Sequence, residues 1–137
     1  MNRLDAVIVA LRQTDGIQLL DARMGQQPCT ALMLGDARMP SWQLGQRITL
    51  AFREIDVALA RELSGMLSIR NLLPCTVLAV THGDLMSRID LSFEGQPLQA
   101  VITRGSAERL ALAPGMAVHA LIKANDMQLF DEEKSDA

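Results

Sequence analysis

The first half of the chain is built from short apolar stretches separated by turn residues. Leu4–Leu11 is rich in β-branched residues and stops at Thr14-Asp15-Gly16. Five short stretches at this spacing predict a small barrel or sandwich of strands. The predicted strands are Leu4–Leu11, Ile17–Ala22, Cys29–Leu34, Gln46–Phe52 and Ile55–Ala60.

The second half repeats this pattern. Met86–Phe93 alternates polar and apolar residues, as expected for a strand with one buried face. After Thr103 the period changes, and Ser106–Leu110 predicts one or two helical turns with Ser106 as the N-cap. The predicted strands are Pro74–Val80, Met86–Phe93, Leu98–Ile102, Ala117–Ile122 and Met127–Phe130.

The two halves align with each other at an offset of about seventy residues. Leu44–Ile48 aligns with Pro114–Val118, and Arg53–Val57 aligns with Lys123–Met127. We therefore predict an all-β chain with two copies of a five-stranded unit. The predicted limits are 1–64 for the first copy, 65–131 for the second and 132–137 for a flexible polar tail. Because each copy is at the small end of domain size, the copies are expected to pack together or to trade strands.

Composition and charge argue against several classes of function. A net charge of −3 disfavours a general nucleic-acid or anionic-membrane surface, and an aromatic content of 3% disfavours a single-strand nucleic-acid binder. No apolar run is long enough to cross a bilayer, and the N-terminus lacks a signal-peptide pattern. Cys29 and Cys75 form no Cys-x-x-Cys motif, so we interpret both as reduced core residues in the cytosol, with a disulfide as the less favoured alternative.

A compact set of hydrogen-bond donors lies at the midpoint of the chain. Ser68, Arg70 and Asn71 supply a hydroxyl, a guanidinium and an amide with no carboxylate among them. This inventory suits an oxyanion better than a metal or a proton transfer, although an ordinary solvated linker is the alternative. The second copy adds the turn from Thr103 to Ser106 and the cation Lys123.

The first copy differs at the matching positions. It has Arg53-Glu54 where the second copy has Lys123-Ala124, and a carboxylate beside the basic residue would repel an anion. It also has Pro40-Ser41 in place of the turn from Thr103 to Ser106. The second copy is therefore the predicted location of an oxyanion site, and the first copy is predicted to be a degenerate version.

Four segments of the second half, taken together, resemble a known family. They are Leu67–Pro74, Ala100–Leu110, Pro114-Gly115 and Ala120–Ala124. In this order and spacing they are similar to the Mop-like (TOBE) domain of molybdate-handling proteins, over Leu67–Leu129. The segments Leu44–Ile48 and Arg53–Leu59 look like the region that precedes this domain in the ATPase of the molybdate ABC transporter. The whole chain thus resembles either the regulatory region of that ATPase or a stand-alone protein with two such domains.

The resemblance implies a pair of OB-like five-stranded barrels, with one short helix in the second, that binds molybdate or tungstate in the cytoplasm. It implies no catalytic cofactor. In the family the site usually lies at a subunit interface, which implies a homo-oligomer, with a dimer favoured over a trimer. Where the family often has Ser after the Lys-Ala pair, this chain has Asn125. The residues that the family assigns to the oxyanion, carried over by position, are Ser68, Ile69, Arg70, Asn71, Thr103, Ser106, Lys123, Ala124 and Asn125.

Each of these residues also has a purely structural alternative. Arg70 could pair with a surface carboxylate, and Lys123 could be a solvated strand residue. Thr103 and Ser106 could only cap the helix, which is compatible with binding. For Asn71, fixing its own turn is favoured over ligand contact.

The leading functional hypothesis is a cytoplasmic module that senses molybdate or tungstate and regulates a molybdate ABC transporter. In that case it would contact the transporter ATPase or permease at the inner face of the membrane, without inserting into it and without binding nucleic acid. A stand-alone molybdate store and a dimerisation module without ligand are the alternatives. The chain has no P-loop, no nucleophile with a base at recognisable spacing and no metal-ligand cluster, so we do not expect an enzyme.

Overall fold

The computed structural model describes residues 1–35 and 42–131, so the predicted tail at 132–137 and Pro40-Ser41 lie outside the described residues. None of the helices in these two ranges combines the length and the apolar character needed to cross a bilayer. The strands are β1 (Asn2–Thr14), β2 (Ile17–Met24), β3 (Gln27–Leu34), β4 (Arg47–Phe52), β5 (Ala58–Ala60), β6 (Asn71–His82), β7 (Met86–Phe93), β8 (Gln96–Thr103), β9 (Ala117–Ile122) and β10 (Gln128–Asp131), and the helix is α1 (Arg104–Arg109).

Two curled five-stranded sheets confirm the predicted all-β fold. One sheet has the order β10-β4-β1-β2-β3 and the other has the order β5-β9-β6-β7-β8. The edge strands β10 and β3 contact each other, as do β5 and β8, so each sheet curls into a barrel. All neighbouring strands are antiparallel.

The first strands of the two halves show why the repeat produces the same fold twice. In β1 and β6, buried residues alternate with exposed or half-buried residues over the first half of the strand, so one face enters the core. Each strand then shifts register once, between Ile8 and Ala10 in β1 and between Val77 and Ala79 in β6. Such an irregularity bends a strand, which lets its start pair with one neighbour and its end with another.

The two sheets exchange strands. β5 follows the first four strands in sequence but pairs with β9 of the second sheet, with Leu59 opposite Ala120. β10 returns the exchange by pairing with β4, with Leu129 opposite Leu50. The prediction that the copies would pack together or trade strands is confirmed. The boundary between residues 64 and 65 stays a prediction about the sequence repeat, because each sheet contains strands from both sides of that boundary.

The buried side chains of both halves form one continuous hydrophobic cluster. Leu4, Ile8 and Leu50 from the first half belong to the same cluster as Leu73 and Ile122 from the second. A shared core offsets the small size of each unit, since more apolar surface is buried per residue than either unit could bury alone.

The structure corrects two details of the predicted elements. The strand predicted at Ile55–Ala60 is shortened to β5, because residues Glu54–Asp56 form a 3-10 turn in which Asp56 N–H donates to Arg53 O at 3.0 Å. The helix begins at Arg104 and its N-cap is Thr103, whose hydroxyl accepts a hydrogen bond from Ser106 N–H at 3.1 Å. Ser106 therefore lies inside the first helical turn and is not the cap.

Candidate functional site

Two of the predicted site residues, Arg70 and Lys123, lie at the same end of the second sheet, just outside its strands. The antiparallel register of β6 and β9 places Asn71 opposite Ile122, and Arg70 precedes the first of these while Lys123 follows the second. Both cations are exposed, and neither side chain makes a hydrogen bond or an ion pair with any residue in 1–35 or 42–131. Like charges at adjacent strand positions repel each other. This end of the sheet is therefore suited to an anion.

The residues next to these two cations leave the space beside them accessible to a ligand. Ala124 and Asn125 belong to the 3-10 turn Ala124–Asp126, in which Asp126 N–H donates to Lys123 O at 3.0 Å. Ala124 is half-buried and Asn125 is exposed, while in the segment before β6 Ser68 is exposed and Ile69 is half-buried. Ser68 and Asn125 make no side-chain hydrogen bond within the described part of the chain.

The third charged group at this end is Asp126, and its position links the two halves. Arg53 of the first half donates to the Asp56 carboxylate at 2.8 and 3.2 Å. This contact raises the pKa of Arg53, and the negative charge of Asp126 adds to the increase. Asp126 thus lies near a cation of the first half, so its charge does not act on Lys123 alone.

Asn71 is placed differently from its predicted neighbours. Its side chain is fully buried, and its amide nitrogen donates to Thr30 O and to Ile122 O, each at 2.9 Å. Its Oδ1 accepts from Thr30 N–H at 2.7 Å. Because both amide hydrogens are used, the side chain has no donor left for a ligand. It does not fix its own turn either, since Thr30 and Ile122 are 41 and 51 residues away in sequence.

Thr103 and Ser106 lie at the opposite end of the second sheet. Thr103 ends β8 opposite Met86, beside the turn that follows β6, whereas Arg70 precedes the start of β6. Thr103 Oγ1 donates to Ser106 Oγ at 2.8 Å, which leaves the Ser106 hydroxyl hydrogen free to donate elsewhere. The capping role of Thr103 is therefore present, and it is compatible with binding by Ser106.

The two groups lie at opposite ends of β6. This strand has 12 residues, and at about 3.3 Å per residue its path is roughly 36 Å long, with a bend at the register shift between Val77 and Ala79. Arg70 and Lys123 lie together at its start, whereas Thr103 and Ser106 lie beside its end.

The matching end of the first sheet carries its own counter-charges. The register of β1 and β4 places Asn2 opposite Phe52, so the Met1 ammonium and Arg53 correspond to Arg70 and Lys123. The ammonium forms an ion pair with Glu54, which lowers the pKa of that carboxyl. Arg53 is paired with Asp56. The two positive groups that correspond to Arg70 and Lys123 are thus already paired with carboxylates.

Other polar clusters lie away from this end. Arg104 donates to Glu108 at 2.8 Å and thereby lowers the pKa of the Glu108 carboxyl. Nδ1 of His82 is 2.6 Å from the buried Ser87 hydroxyl. Within residues 1–35 and 42–131, no three His, Cys, Asp or Glu side chains are grouped so that they could hold a metal ion.

The two thiols are buried in the core and have low reactivity. Burial raises the pKa of Cys29 to about 12 and the pKa of Cys75 to about 11. Both side chains are buried, which confirms their predicted place in the core.

Sequence reasoning missed one residue that the structure makes prominent. Asn2 occupies in β1 the place that Asn71 occupies in β6: its amide donates to Gln99 O at 2.8 Å, and its Oδ1 accepts from Gln99 N–H at 2.8 Å. The signal was available, because an offset of 69 residues, which places Ile8 on Val77 at the register shift of each first strand, also places Asn2 on Asn71.

Comparisons with known proteins agree with the resemblance seen in the sequence. Residues 67–129 match the TOBE domain family. The molybdenum-pterin-binding protein MopA of Rhodobacter capsulatus is 48% identical over 61 residues, which are 44% of this chain and 23% of that protein. The molybdenum import ATP-binding protein ModC of Rhodospirillum rubrum is 38% identical over 96 residues, which are 66% of this chain and 25% of that protein.

One solved structure matches nearly the whole chain. The cytoplasmic molybdate-binding protein ModG, in a crystal form with molybdate bound, has a TM-score of 0.88 and 25% sequence identity and covers 93% of this chain and 94% of its own. The curated relatives are matched over a much smaller share, since the chain spans about a quarter of the length of MopA and ModC. The predicted resemblance to a pair of Mop-like domains is confirmed.

Proposed function

We propose that this chain, whose residues 67–129 form a TOBE domain, binds molybdate or tungstate. The observation that carries the proposal is the pair of cations Arg70 and Lys123, which leave the same sheet end without an ionic partner among the described residues. The molybdate bound to ModG, which has the same fold, supports the choice of ligand. The chain acts as a binding protein in the cytoplasm in this proposal and catalyses no reaction.

The chemistry of the residues fits a tetrahedral dianion. Molybdate offers only hydrogen-bond acceptors, so its pocket needs donors and positive charge without a nearby uncompensated carboxylate. Arg70 and Lys123 supply the charge, and Ser68 and Asn125 supply neutral donors beside them. Ile69 and Ala124 are assigned to the backbone and the wall of the pocket.

Thr103 and Ser106 join this site from a second copy of the chain. Because they lie at the other end of the sheet, we assign the site to an interface in a homo-oligomer, with a dimer favoured. Desolvating a dianion is costly, and an interface can surround it with donors from both copies.

A binding experiment with matched variants tests the proposal. We expect molybdate or tungstate at millimolar concentration to raise the Tm and sulfate to raise it less, because a ligand that binds the folded state stabilises it. Arg70→Ala and Lys123→Ala should abolish the increase. Arg12→Ala is the control, because it removes an exposed cation at the far end of β1 and should leave the increase intact. No change in Tm of the wild-type protein, with no heat in calorimetry, would refute the proposal.

For the biological role we propose sensing for the regulation of a molybdate ABC transporter. Anion binding at an interface stabilises one arrangement of two copies over another, which is what a sensor requires. The partial match to ModC supports this role. Molybdate should then shift the association equilibrium of the chain in sedimentation experiments, and binding without any shift would contradict sensing.

Storage of molybdate is the second candidate role. The match across 94% of ModG, which is described as a cytoplasmic molybdate-binding protein, favours it. Both roles use the same interface site, so the transporter separates them: a sensor should bind the transporter ATPase in a molybdate-dependent manner, and a store should not. A protein that binds neither molybdate nor tungstate would instead be a dimerisation module.

A further inference from the structure

We infer that Asn71 is a positioning residue for the anion site and that it works by tying the cation-bearing strand ends to the first half of the chain. This inference rests on the proposed function. In this role the Asn71 side chain does not contact the ligand, because its hydrogen-bonding groups are already used within the protein.

The amide of Asn71 joins three segments of chain. It belongs to the start of β6, directly after Arg70. It donates to the carbonyl of Ile122, directly before Lys123, at 2.9 Å. Its other hydrogen and its oxygen bind the backbone of Thr30 in β3, at 2.9 and 2.7 Å. One buried side chain therefore holds the two residues that flank the cations and anchors both to the other sheet.

The neighbouring packing points the same way. The 3-10 turn Ala124–Asp126 packs against β3, the strand that contains Thr30. β9, which ends just before Lys123, is paired on its outer side with β5 of the first half. The first half has no uncompensated cation pair of its own at the matching end, but it supports the end of the second sheet where Arg70 and Lys123 lie.

Removing this amide should therefore make the backbone that carries Arg70 and Lys123 more mobile. Three backbone groups would lose their partner in a buried place, and such groups seek other partners by moving. An anion site depends on donors that are held in place before binding, so looser strand ends mean weaker binding.

Asn2 provides a matched control within the same molecule. It makes the same pair of hydrogen bonds across the halves, to Gln99 N–H and Gln99 O, both at 2.8 Å. However, the strand end that it holds carries Met1 and Arg53, whose charges are paired with Glu54 and Asp56. Loss of Asn2 should thus cost stability without affecting an anion site.

The experiment compares Asn71→Ala and Asn2→Ala in the full chain. Calorimetry with molybdate, at a temperature where both variants are folded, should show at least a tenfold higher Kd for Asn71→Ala and a Kd within about twofold of wild type for Asn2→Ala. Hydrogen exchange without ligand should speed up at Lys123–Asp126 in Asn71→Ala and at Arg53–Asp56 in Asn2→Ala. If Asn71→Ala does not fold, Asn71→Ser, which puts one smaller polar group in place of the amide, replaces it.

The outcomes separate the inference from the proposed function. Wild-type protein that binds neither molybdate nor tungstate refutes the proposed function, and the inference is lost with it. Wild-type protein that binds, with an unchanged Kd in Asn71→Ala, refutes only the inference. Equal losses of affinity in Asn71→Ala and Asn2→Ala also refute it, because the effect would then follow from general destabilisation.

Discussion

Replacing Ala124 with glutamate should give the second half the charge pattern of the first. Ala124 corresponds to Glu54, which pairs with the Met1 ammonium, and Met1 corresponds to Arg70. The introduced carboxylate therefore has a geometric precedent in this molecule: it should pair with Arg70 and lie beside the position that we assign to the anion. The Ala124→Glu variant should remain folded, because the first half tolerates a glutamate at the same place in the same turn.

The size of the effect follows from charge and distance. A carboxylate that touches one cation would lie roughly 5 Å from a dianion that touches the same cation, and Coulomb's law then gives about 1.7 kcal/mol of repulsion in bulk water. At half that dielectric constant, the repulsion is about 3.3 kcal/mol. Since about 1.4 kcal/mol corresponds to a factor of ten, the Kd should rise by about 15-fold to 200-fold.

Calorimetric titration with molybdate at low ionic strength measures this change directly. Added salt should narrow the gap between Ala124→Glu and wild type, because it screens charges at exposed positions. Ala124→Gln is the control for size and should bind within a few-fold of wild type. A Kd for Ala124→Glu equal to that of wild type would show that the anion does not lie beside Lys123, and the reasoning from the first half would be wrong.

Three further predictions concern the thiols, the strand exchange and the helix cap. Cys29 and Cys75, with a pKa of about 12 and about 11, should react with Ellman's reagent at pH 8 only after unfolding. Because burial raises both pKa values above those of the unfolded chain, the contribution of the thiols to stability should be constant below about pH 9 and should be lost as pH rises further. Met127→Ala, at a residue only 3% exposed before β10, should cost about 2–4 kcal/mol in chemical denaturation and leave a single transition. Thr103→Val should cost roughly 1 kcal/mol of stability, whereas Thr103→Ser, which keeps the capping hydroxyl, should cost much less.

Each of these has a result that would contradict it. Rapid labelling of native protein would mean that the thiols are reached by local opening. Met66 is 100% exposed, so Met66→Ala should cost almost nothing, and an equal cost for both methionines would rule out the packing argument. Two separate transitions in Met127→Ala would show that the halves unfold independently. Equal stability of Thr103→Val and Thr103→Ser would show that the cap is unimportant.

Most strands could be predicted from the sequence, because alternation and turn residues are local signals. Met86–Phe93 is found with the predicted bounds. The shortened β5 was not predictable in this way, since Ile55–Ala60 has a strand-like composition, whereas its first residues belong to the 3-10 turn after which the chain joins the other sheet. The family resemblance and the grouping of Arg70 with Lys123 followed from motifs, and the register supports that grouping.

The role of Asn71 shows where sequence reasoning stops. A polar side chain beside Arg70 has the chemistry expected of a group that contacts the anion. Nothing in the neighbouring sequence distinguishes a side chain that points outward from one that points inward. Its partners, Thr30 and Ile122, are chosen by tertiary packing at separations of 41 and 51 residues. The separation of Thr103 from Lys123 is equally non-local, because it depends on the order of strands in the curled sheet.

The exchange of β5 and β10 has a consequence for how this chain can evolve and be engineered. A single unit whose last strand extended away from its own sheet, as β5 and β10 do, would present an unpaired sheet edge. It would then have to obtain a strand from another molecule. Joining two units in one polypeptide supplies that strand at high effective concentration. Once each unit completes the other, one unit can lose its ligand-binding residues and still be retained as scaffold. Cleavage of the connection between Ala60 and Asn71 should therefore leave the two fragments associated, because each fragment still carries a strand that the other requires.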